Sequence, residues 1–401
     1  LIEDGINPRG KSLNVSRIPS FKTLDNLSSA LSMIISLISK EASQEVVMDG
    51  LISLLLKHSK KLAEVEQKIV EAFVKSSTAL KYNKTPTMVS FVIPLGTEQK
   101  IVNVVLSAYR TYTQLTPVPM IGLVINYEKG RIADVSEILS EIITLGGQIM
   151  FSKHHVSQKG IVRSKNTSAT SLHLCSLSIN LPRLAFESNK DETYFRARLA
   201  LLMKPALTSM ALRKKSISDL IRLGINPVLA DSTQYMQRSL VSLVVNLIGL
   251  DNAVYGILGF NNDKKGKEIL QKVIVTAVDI ASKKSKELGI DVMISITESD
   301  GSKRFISLDE EKYGTDSIFK ITDDETYTHG ITLNADTITE LTAKSSEIVE
   351  CNKIAKILNG GLLVQLKLPN GTKVAQIKKT IEKACGIIDS FKPVIKIPVC
   401  G

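Results

Sequence analysis

The stretch Cys175-Ser-Leu-Ser-Ile-Asn-Leu-Pro-Arg-Leu-Ala-Phe-Glu187 joins a predicted strand, Ser171 to Leu181, to a following helix. Asn180 falls at the carboxyl end of that strand, and Pro182 removes a backbone donor just after it. In parallel α/β folds, ligands bind at the carboxyl ends of the strands. Arg183 offers a bidentate contact to an anion. The stretch is therefore a candidate site, although a polar residue at a strand end is structural more often than functional.

The pattern on both sides of this stretch predicts an α/β fold. From Pro86 onward, β-rich runs alternate with helical spacing, which favours a largely parallel sheet. About ten strand candidates in one run suggest closure into a barrel. The division that follows is a helical N-terminal part, residues 1–85, and an α/β barrel, residues 86–401. The strand candidates include Met88–Pro94, Met120–Tyr127, Leu240–Ile248, Asp291–Ile296, Lys303–Ile306 and Leu362–Leu368.

Within the N-terminal part, apolar residues between Val47 and Val65 recur at helical spacing and predict one apolar helix face. Such a stripe suits a dimer interface. It suits burial within the monomer about equally well.

Composition limits the classes of function. The chain of 401 residues is 43% hydrophobic and 23% charged, as in soluble globular proteins, and its net charge of +11 favours anionic partners. A basic nucleic-acid-binding barrel has only this charge in its favour, because Trp is absent and aromatic residues make up 5%. The longest apolar run, Leu240 to Leu250, is too short to span a membrane. Four cysteines without a CxxC pair predict a reducing, cytoplasmic setting.

Common cofactor and metal motifs are missing from the sequence. It contains no GxxxxGK[ST] phosphate loop, no GxGxxG after a strand, no HExxH and no Cys/His cluster at metal-ligand spacing. No cofactor is therefore evident from the residues alone.

Five segments in order point to a known family. They are Ile179–Ala185 (INLPRLA), Ile248–Ala253 (IGLDNA), Thr297–Ser299 followed by Arg304, Phe305, Asp309, Tyr313 and Gly314, then Tyr327–His329 (YTH), and Asn359–Gly361 (NGG). This series resembles anaerobic (class III) ribonucleoside-triphosphate reductases, the glycyl-radical ribonucleotide reductases. The resemblance extends over about residues 20 to 400.

This resemblance implies a ten-stranded α/β barrel with a finger loop that carries a cysteine through its centre. It implies that a glycyl radical in a C-terminal domain oxidises this cysteine to a thiyl, which abstracts hydrogen from the ribose C3′. The products are deoxyribonucleotides, typically with formate as reductant. A homodimer that binds dNTP effectors near its N-terminal helices and a zinc module also follow from the resemblance.

The resemblance also assigns roles to residues. Asn180 and Cys175 become the catalytic candidates, and the ribonucleoside triphosphate would contact Arg183, Asn252, Glu298 and Ser299.

The finger loop departs from the family pattern. The corresponding stretch, residues 154–170, contains no cysteine. Arg163 matches the family's arginine, which leaves Val162 where the thiol belongs. Cys175 is the nearest alternative, but strand alternation puts it on the face of Ile179, while Asn180 shares a face with Ser178. We therefore expect Cys175 to be a buried strand residue, and Cys351 and Cys385 to lie in the core.

Other departures concern the radical and metal sites. No glycyl-radical segment of RVxGY type occurs before Gly401, and Cys400 alone would remain of a zinc module. Asn252 stands where the family has an acidic residue. Two hypotheses remain: a reductase core whose radical glycine is missing or supplied elsewhere, and a catalytically degenerate relative that binds nucleotide as a regulator or scaffold. The missing finger-loop cysteine favours the second for mechanism.

Overall fold

The computed structural model describes residues 24–58, 60–81, 87–96, 98–154, 156–162, 170–223, 225, 239–259, 264–318 and 326–395. Helices and strands alternate along most of this length, as the sequence pattern predicts. The helices are α1 (Leu27–Glu41), α2 (Leu51–Leu56), α3 (Leu62–Lys81), α4 (Gln99–Leu115), α5 (Ser136–Thr144), α6 (Leu181–Glu187), α7 (Glu192–Arg222), α8 (Leu250–Leu258), α9 (Lys264–Leu288), α10 (Gly301–Tyr313), α11 (Ala335–Glu340), α12 (Ser346–Ile357) and α13 (Val374–Ile387).

The strands of the described residues form two sheets. They are β1 (Glu45–Met48), β2 (Met88–Pro94), β3 (Ile121–Asn126), β4 (Gln148–Ser152), β5 (Thr170–Asn180), β6 (Ser239–Ile248), β7 (Asp291–Ile296), β8 (Ile331–Asn334), β9 (Gly361–Leu362), β10 (Val364–Leu368) and β11 (Ser390–Ile395). A seven-stranded sheet has the order β1-β2-β3-β4-β11-β10-β8, and a four-stranded sheet has the order β5-β6-β7-β9. All neighbours pair in parallel except β4 and β11.

Two contacts join the sheets. Leu363, between β9 and β10, donates its N–H to the Ile296 carbonyl in β7 and accepts the N–H of Ile331 in β8. At the other edges, the side chain of Gln44 beside β1 donates to Ser176 Oγ in β5 at 3.3 Å. The mixed α/β class is thus confirmed. A single closed ten-stranded sheet is not seen in the described strands, so the barrel stays a prediction.

The seven-stranded sheet is covered on both faces. Alternate residues of β3, Leu123 and Ile125, pack in the large core beneath the helices. Val124, on the other face, packs in a separate cluster with Val156, which belongs to a hairpin held by the bridge between Val156 and Val162. Burial on both faces explains why the central strands read as continuous apolar runs rather than alternating ones.

The hairpin is fastened to the inner face of the sheet. The buried Gln158 side chain donates to the Leu123 carbonyl. Gly122 makes room for it, since a Cβ there would lie 3.1 Å from Gln158 Nε2. Glu45 of β1 accepts the Gln158 N–H at 2.8 Å.

Two local predictions are wrong. Lys303 to Ile306 lies inside helix α10 rather than in a strand. The apolar positions between Val47 and Val65 do not form one helix face, because Val47 belongs to β1 and a break at residues 57–61 separates α2 from α3. Leu51, Leu55 and Val65 are instead buried in the main core. The strand β1, within the first 85 residues, pairs with β2, and the division at residue 85 stays a prediction.

Candidate functional site

Asn180 joins the end of β5 to the start of helix α6. Its side-chain Oδ1 accepts the backbone N–H of Arg183 at 3.1 Å, which caps the helix, and Pro182 occupies the first turn. An amide before a proline in the first turn is a favoured helix start. The sequence thus fixes Asn180 at the carboxyl edge of the four-stranded sheet.

Asp309 of α10 is the centre of the polar network at this edge. Its carboxylate is fully buried and accepts hydrogen bonds from Asn180 Nδ2 at 2.8 Å, Arg183 Nε at 2.6 Å and Tyr327 Oη at 2.8 Å. Arg183 also donates through Nη2 to the Leu308 carbonyl at 3.0 Å and leaves 31% of its side chain exposed. A buried carboxylate is tolerated when it is both ion-paired and hydrogen-bonded.

Tyr327 completes this network as a neutral donor. Burial raises the pKa of its phenol, and the hydrogen bond and negative charge of Asp309 raise it further. The Oη–H therefore remains protonated at neutral pH and fixes one carboxylate oxygen.

Ser178 and Ser299 meet next to Asn180. Their hydroxyl oxygens lie 3.0 Å apart, and Ser299 Oγ also accepts the N–H of Gly301 at the start of α10 at 3.2 Å. Beside them, Glu298 Oε2 accepts from Lys392 Nζ at 3.3 Å. The loop between β7 and α10 therefore places Glu298 and Ser299 against the Ser178 and Asn180 face of β5.

Asn252 supports the site from helix α8. Its buried Oδ1 accepts both the N–H and the hydroxyl of Thr328 at 2.9 Å. Gly249, before the helix, donates its N–H to the Thr328 carbonyl at 2.8 Å and has a φ of +72°. Asn252 thus holds the segment that carries Tyr327.

Cys175 lies apart from this network. It packs with Leu177 against the main core, and the bulge in the β5–β6 pairing lies before it, between His173 and Cys175. From Cys175 to Asn180 the pairing is regular, so Cys175 and Asn180 belong to opposite faces of the strand. Val162, in the hairpin, packs at the edge of the inner cluster with Val156.

Thiols and metal donors elsewhere do not form a second centre. Cys351 and Cys385 are buried, and burial is the main reason that their pKa values are raised, to about 12 for Cys351. No three His, Cys, Asp or Glu side chains of the described residues lie together as a metal site, so this part of the chain does not fit the zinc that the resemblance implies. Arg163 and Cys400 fall outside the described residues. None of the described helices is long and apolar enough to cross a membrane.

Sequence reasoning missed Asn246. This buried residue of β6 donates to the Thr297 carbonyl at 2.9 Å and accepts the Thr297 N–H at 2.8 Å, which ties β6 to the loop that holds Glu298. Its signal was an amide within the otherwise apolar run Leu240 to Leu250. The central role of Asp309 was also missed, although it shares the buried face of α10 with Ser302 and Ile306.

The segments that carry the resemblance therefore meet in space. INLPRLA contributes Asn180 and Arg183, α10 contributes Asp309, and YTH contributes Tyr327. Residues 59–390 match the family described as anaerobic ribonucleoside-triphosphate reductase. The chain belongs to this family. Its members are glycyl-radical enzymes, and ribonucleotide reduction is the activity that this membership implies by resemblance.

Solved structures of the same family share the fold. The anaerobic ribonucleotide reductase from Thermotoga maritima with dATP bound in the specificity site is 14% identical, with a TM-score of 0.71 over 98% of this chain and 73% of that one. The same enzyme with citrate in the active site gives 0.69 at 14% identity over 95% and 77%. Its complex with dATP and CTP gives 0.70 at 13% identity over 95% and 71%. No curated protein matches the sequence.

A separate groove of about 570 Å³ lies between α3 and α4, and Val70, Val74 and Leu115 are among its lining residues. The Leu115 side chain is 63% exposed. This groove is formed by other elements than the network around Asp309.

Proposed function

We propose that this chain binds a ribonucleoside triphosphate at the carboxyl edge of β5 and β7. Asn180, Glu298 and Ser299 would contact the ligand, with Arg183 and Asn252 holding the surrounding segments. The observation that carries the proposal is the shared network of Asn180, Arg183 and Tyr327 on Asp309, because it gathers three family-matched segments at one strand edge.

The reduction step is less well supported by the residues present. In the family the hydrogen abstraction needs a thiol beside the ribose. Val162 carries none, and Cys175 packs on the core face of β5, opposite to Asn180. A nucleotide-binding regulator or scaffold on the reductase fold therefore fits the described residues better than an active reductase core. The second candidate, the reductase itself, would need Cys175 to turn toward Asn180.

Calorimetry with each of the four ribonucleoside triphosphates tests the binding. We expect the wild-type chain to bind at least one of them, and Asn180→Ala to weaken that binding about tenfold or more, since one good polar contact is worth about 1.4 kcal/mol. The exposed Asn103→Ala is the matched control and should bind as wild type does. Circular dichroism shows whether Asn180→Ala is folded. Lack of binding by the wild-type chain at millimolar nucleotide would contradict the proposal.

We also propose a homodimer that responds to a dNTP effector. The groove between α3 and α4 supports it, because an exposed apolar lining is what an interface buries. A dimer that is stabilised by dATP in light scattering is the expected result. A monomeric mass at micromolar concentration, with and without dATP, would contradict it.

A further inference from the structure

Cationic and polar side chains line the sheet face opposite the helices at β10 and β11. Lys392 and Gln365 are register partners in these strands. The neighbour of Lys392, Phe391, stacks on Phe151 in the main core with ring centroids 5.0 Å apart. Because side chains alternate along a strand, Lys392 points to the other face. His329, just before β8, lies with its Nε2 3.5 Å from Gln365 Nε2.

Glu298 is the carboxylate that these groups surround. It accepts from Lys392 Nζ, and the Lys392 side chain is only 12% exposed while that of Glu298 is 40% exposed. Burial raises the pKa of Glu298, but the positive charges of Lys392, Lys159 and His329 lower it by more. Lys159, from the hairpin, therefore lies close to the same carboxylate as Lys392.

Positive charge exceeds negative charge at this point. The nearest other carboxylate, Glu45, is occupied by neutral donors: the Ser90 hydroxyl at 2.8 Å and the backbone N–H of Gln158 at 2.8 Å. Glu298 can compensate one ammonium group, while two are present, and His329 adds to the excess whenever it is protonated. A partly buried ammonium group without a full counter-charge is costly, and an added anion removes that cost.

We propose that Lys159 and Lys392 form an oxyanion site on the inner face of the sheet, with Glu298 as the counter-ion that an incoming phosphate displaces from Lys392. The phosphate could be free or carried by a nucleotide. Its identity as part of a nucleotide rests on the proposed function, whereas the anion site rests on the charges of this chain. The site adds Lys159 and Lys392 to the residues that hold the ligand.

Calorimetry on the full chain at constant ionic strength separates the sources, with inorganic phosphate, CTP and uncharged cytidine as probes. We expect Lys392→Met and Lys159→Met each to weaken phosphate and CTP binding about tenfold or more and to leave cytidine binding unchanged. Lys378→Met, which removes an exposed lysine paired with Glu137, is the matched control and should change nothing by more than about twofold.

Glu298→Gln gives a readout that a purely structural role would not give. It removes the competing carboxylate and leaves two ammonium groups, so phosphate should bind about tenfold more tightly. Unchanged or weaker phosphate binding by this variant, or unchanged binding by folded Lys392→Met and Lys159→Met, would overturn the anion site. If Lys392→Met does not fold, Lys159→Met and Glu298→Gln decide.

The same experiment separates the two proposals. CTP binding that depends on Asn180 but on neither lysine leaves the proposed function in place and overturns the anion site. Phosphate binding that depends on both lysines, without any CTP or cytidine binding, supports the anion site and contradicts the proposed function. No phosphate binding by the wild-type chain at millimolar concentration overturns the anion site.

Discussion

Asn180 Nδ2 donates to Asp309 Oδ2 across 2.8 Å, which links the end of β5 to a helix that begins more than a hundred residues later. The same Asn180 caps α6 through its Oδ1, so its amide is used on both sides. A side chain held at both ends has few rotamers left. The geometry of this edge is therefore set before any ligand arrives, which is what a precise binding site needs.

Replacing Asp309 with Asn should destabilise the chain by about 3 kcal/mol. The change leaves the partly buried Arg183 without its counter-charge, and breaking such a pair costs about 3–5 kcal/mol when the partner stays behind. Urea unfolding measures the loss. The matched control is Asp219→Asn, which breaks an exposed pair with Arg222 and should cost less than about 1 kcal/mol. Equal losses in the two variants would show that Asp309 is not the centre of the network.

Gly249→Ala should be more damaging than Gly289→Ala. Both glycines have positive φ, +72° and +62°, so an alanine at either place strains the backbone by about 1–2 kcal/mol. At Gly249 the added Cβ would also lie 2.4 Å from Pro182 Cγ, while at Gly289 it meets nothing within 4 Å. Overpacking adds about 1–3 kcal/mol, so we expect at least about 1 kcal/mol between the two variants in urea unfolding. No difference would contradict the close packing of α8 on α6.

Asp251→Asn should stabilise the chain at pH 7 and have little effect at pH 4. Burial raises the pKa of Asp251 from 3.8 to about 6. A raised carboxyl pKa means that the folded state binds the proton more tightly than the unfolded state. Stability from this group is therefore present below pH 4 and is lost as the pH rises to about 6. The shift corresponds to about 2–3 kcal/mol at pH 7, which the amide would recover.

Unfolding as a function of pH, for wild type and Asp251→Asn, checks this expectation. The exposed Asp279→Asn serves as control and should leave the pH profile unchanged. A constant difference between wild type and Asp251→Asn from pH 4 to pH 7 would contradict the burial of the charge.

The chain should not reduce ribonucleotides, even with an activating enzyme. Abstraction of the C3′ hydrogen needs a thiyl radical in contact with the ribose, and Cys175 lies on the core face of β5. Anaerobic incubation with labelled CTP, formate and an activase, beside an active family member as positive control, measures the product. Deoxynucleotide that forms with the wild-type chain and disappears with Cys175→Ser would show that Cys175 reaches the substrate.

Local patterns predicted the elements better than their connections. The apolar runs of β2 and β3 and the start of α6 at Asn180 followed from periodicity and capping chemistry. The stretch from Val47 to Val65 was wrong because its helical spacing continues by chance across a strand and a turn. Lys303 to Ile306 was wrong because the short apolar pair in it belongs to a helix face.

The network of the site depends on tertiary contacts that no local pattern contains. Asp309 and Asn180 are far apart in the sequence, and their pairing follows only from the way α10 packs beside β5. Asn246 could have been noticed as an amide in an apolar run, but its partner Thr297 could not. The excess of positive charge around Glu298 likewise arises from residues of four separate segments.

Hydrogen–deuterium exchange with and without a ribonucleoside triphosphate tests the central claim, nucleotide binding at the carboxyl edge of β5 and β7, most directly. We predict slower exchange in the peptides that contain residues 178–184 and 297–303, and no change in peptides from the outer helix α7. The effect should be absent in Asn180→Ala. Protection that appears only elsewhere in the chain, or no protection at saturating nucleotide, would contradict the claim.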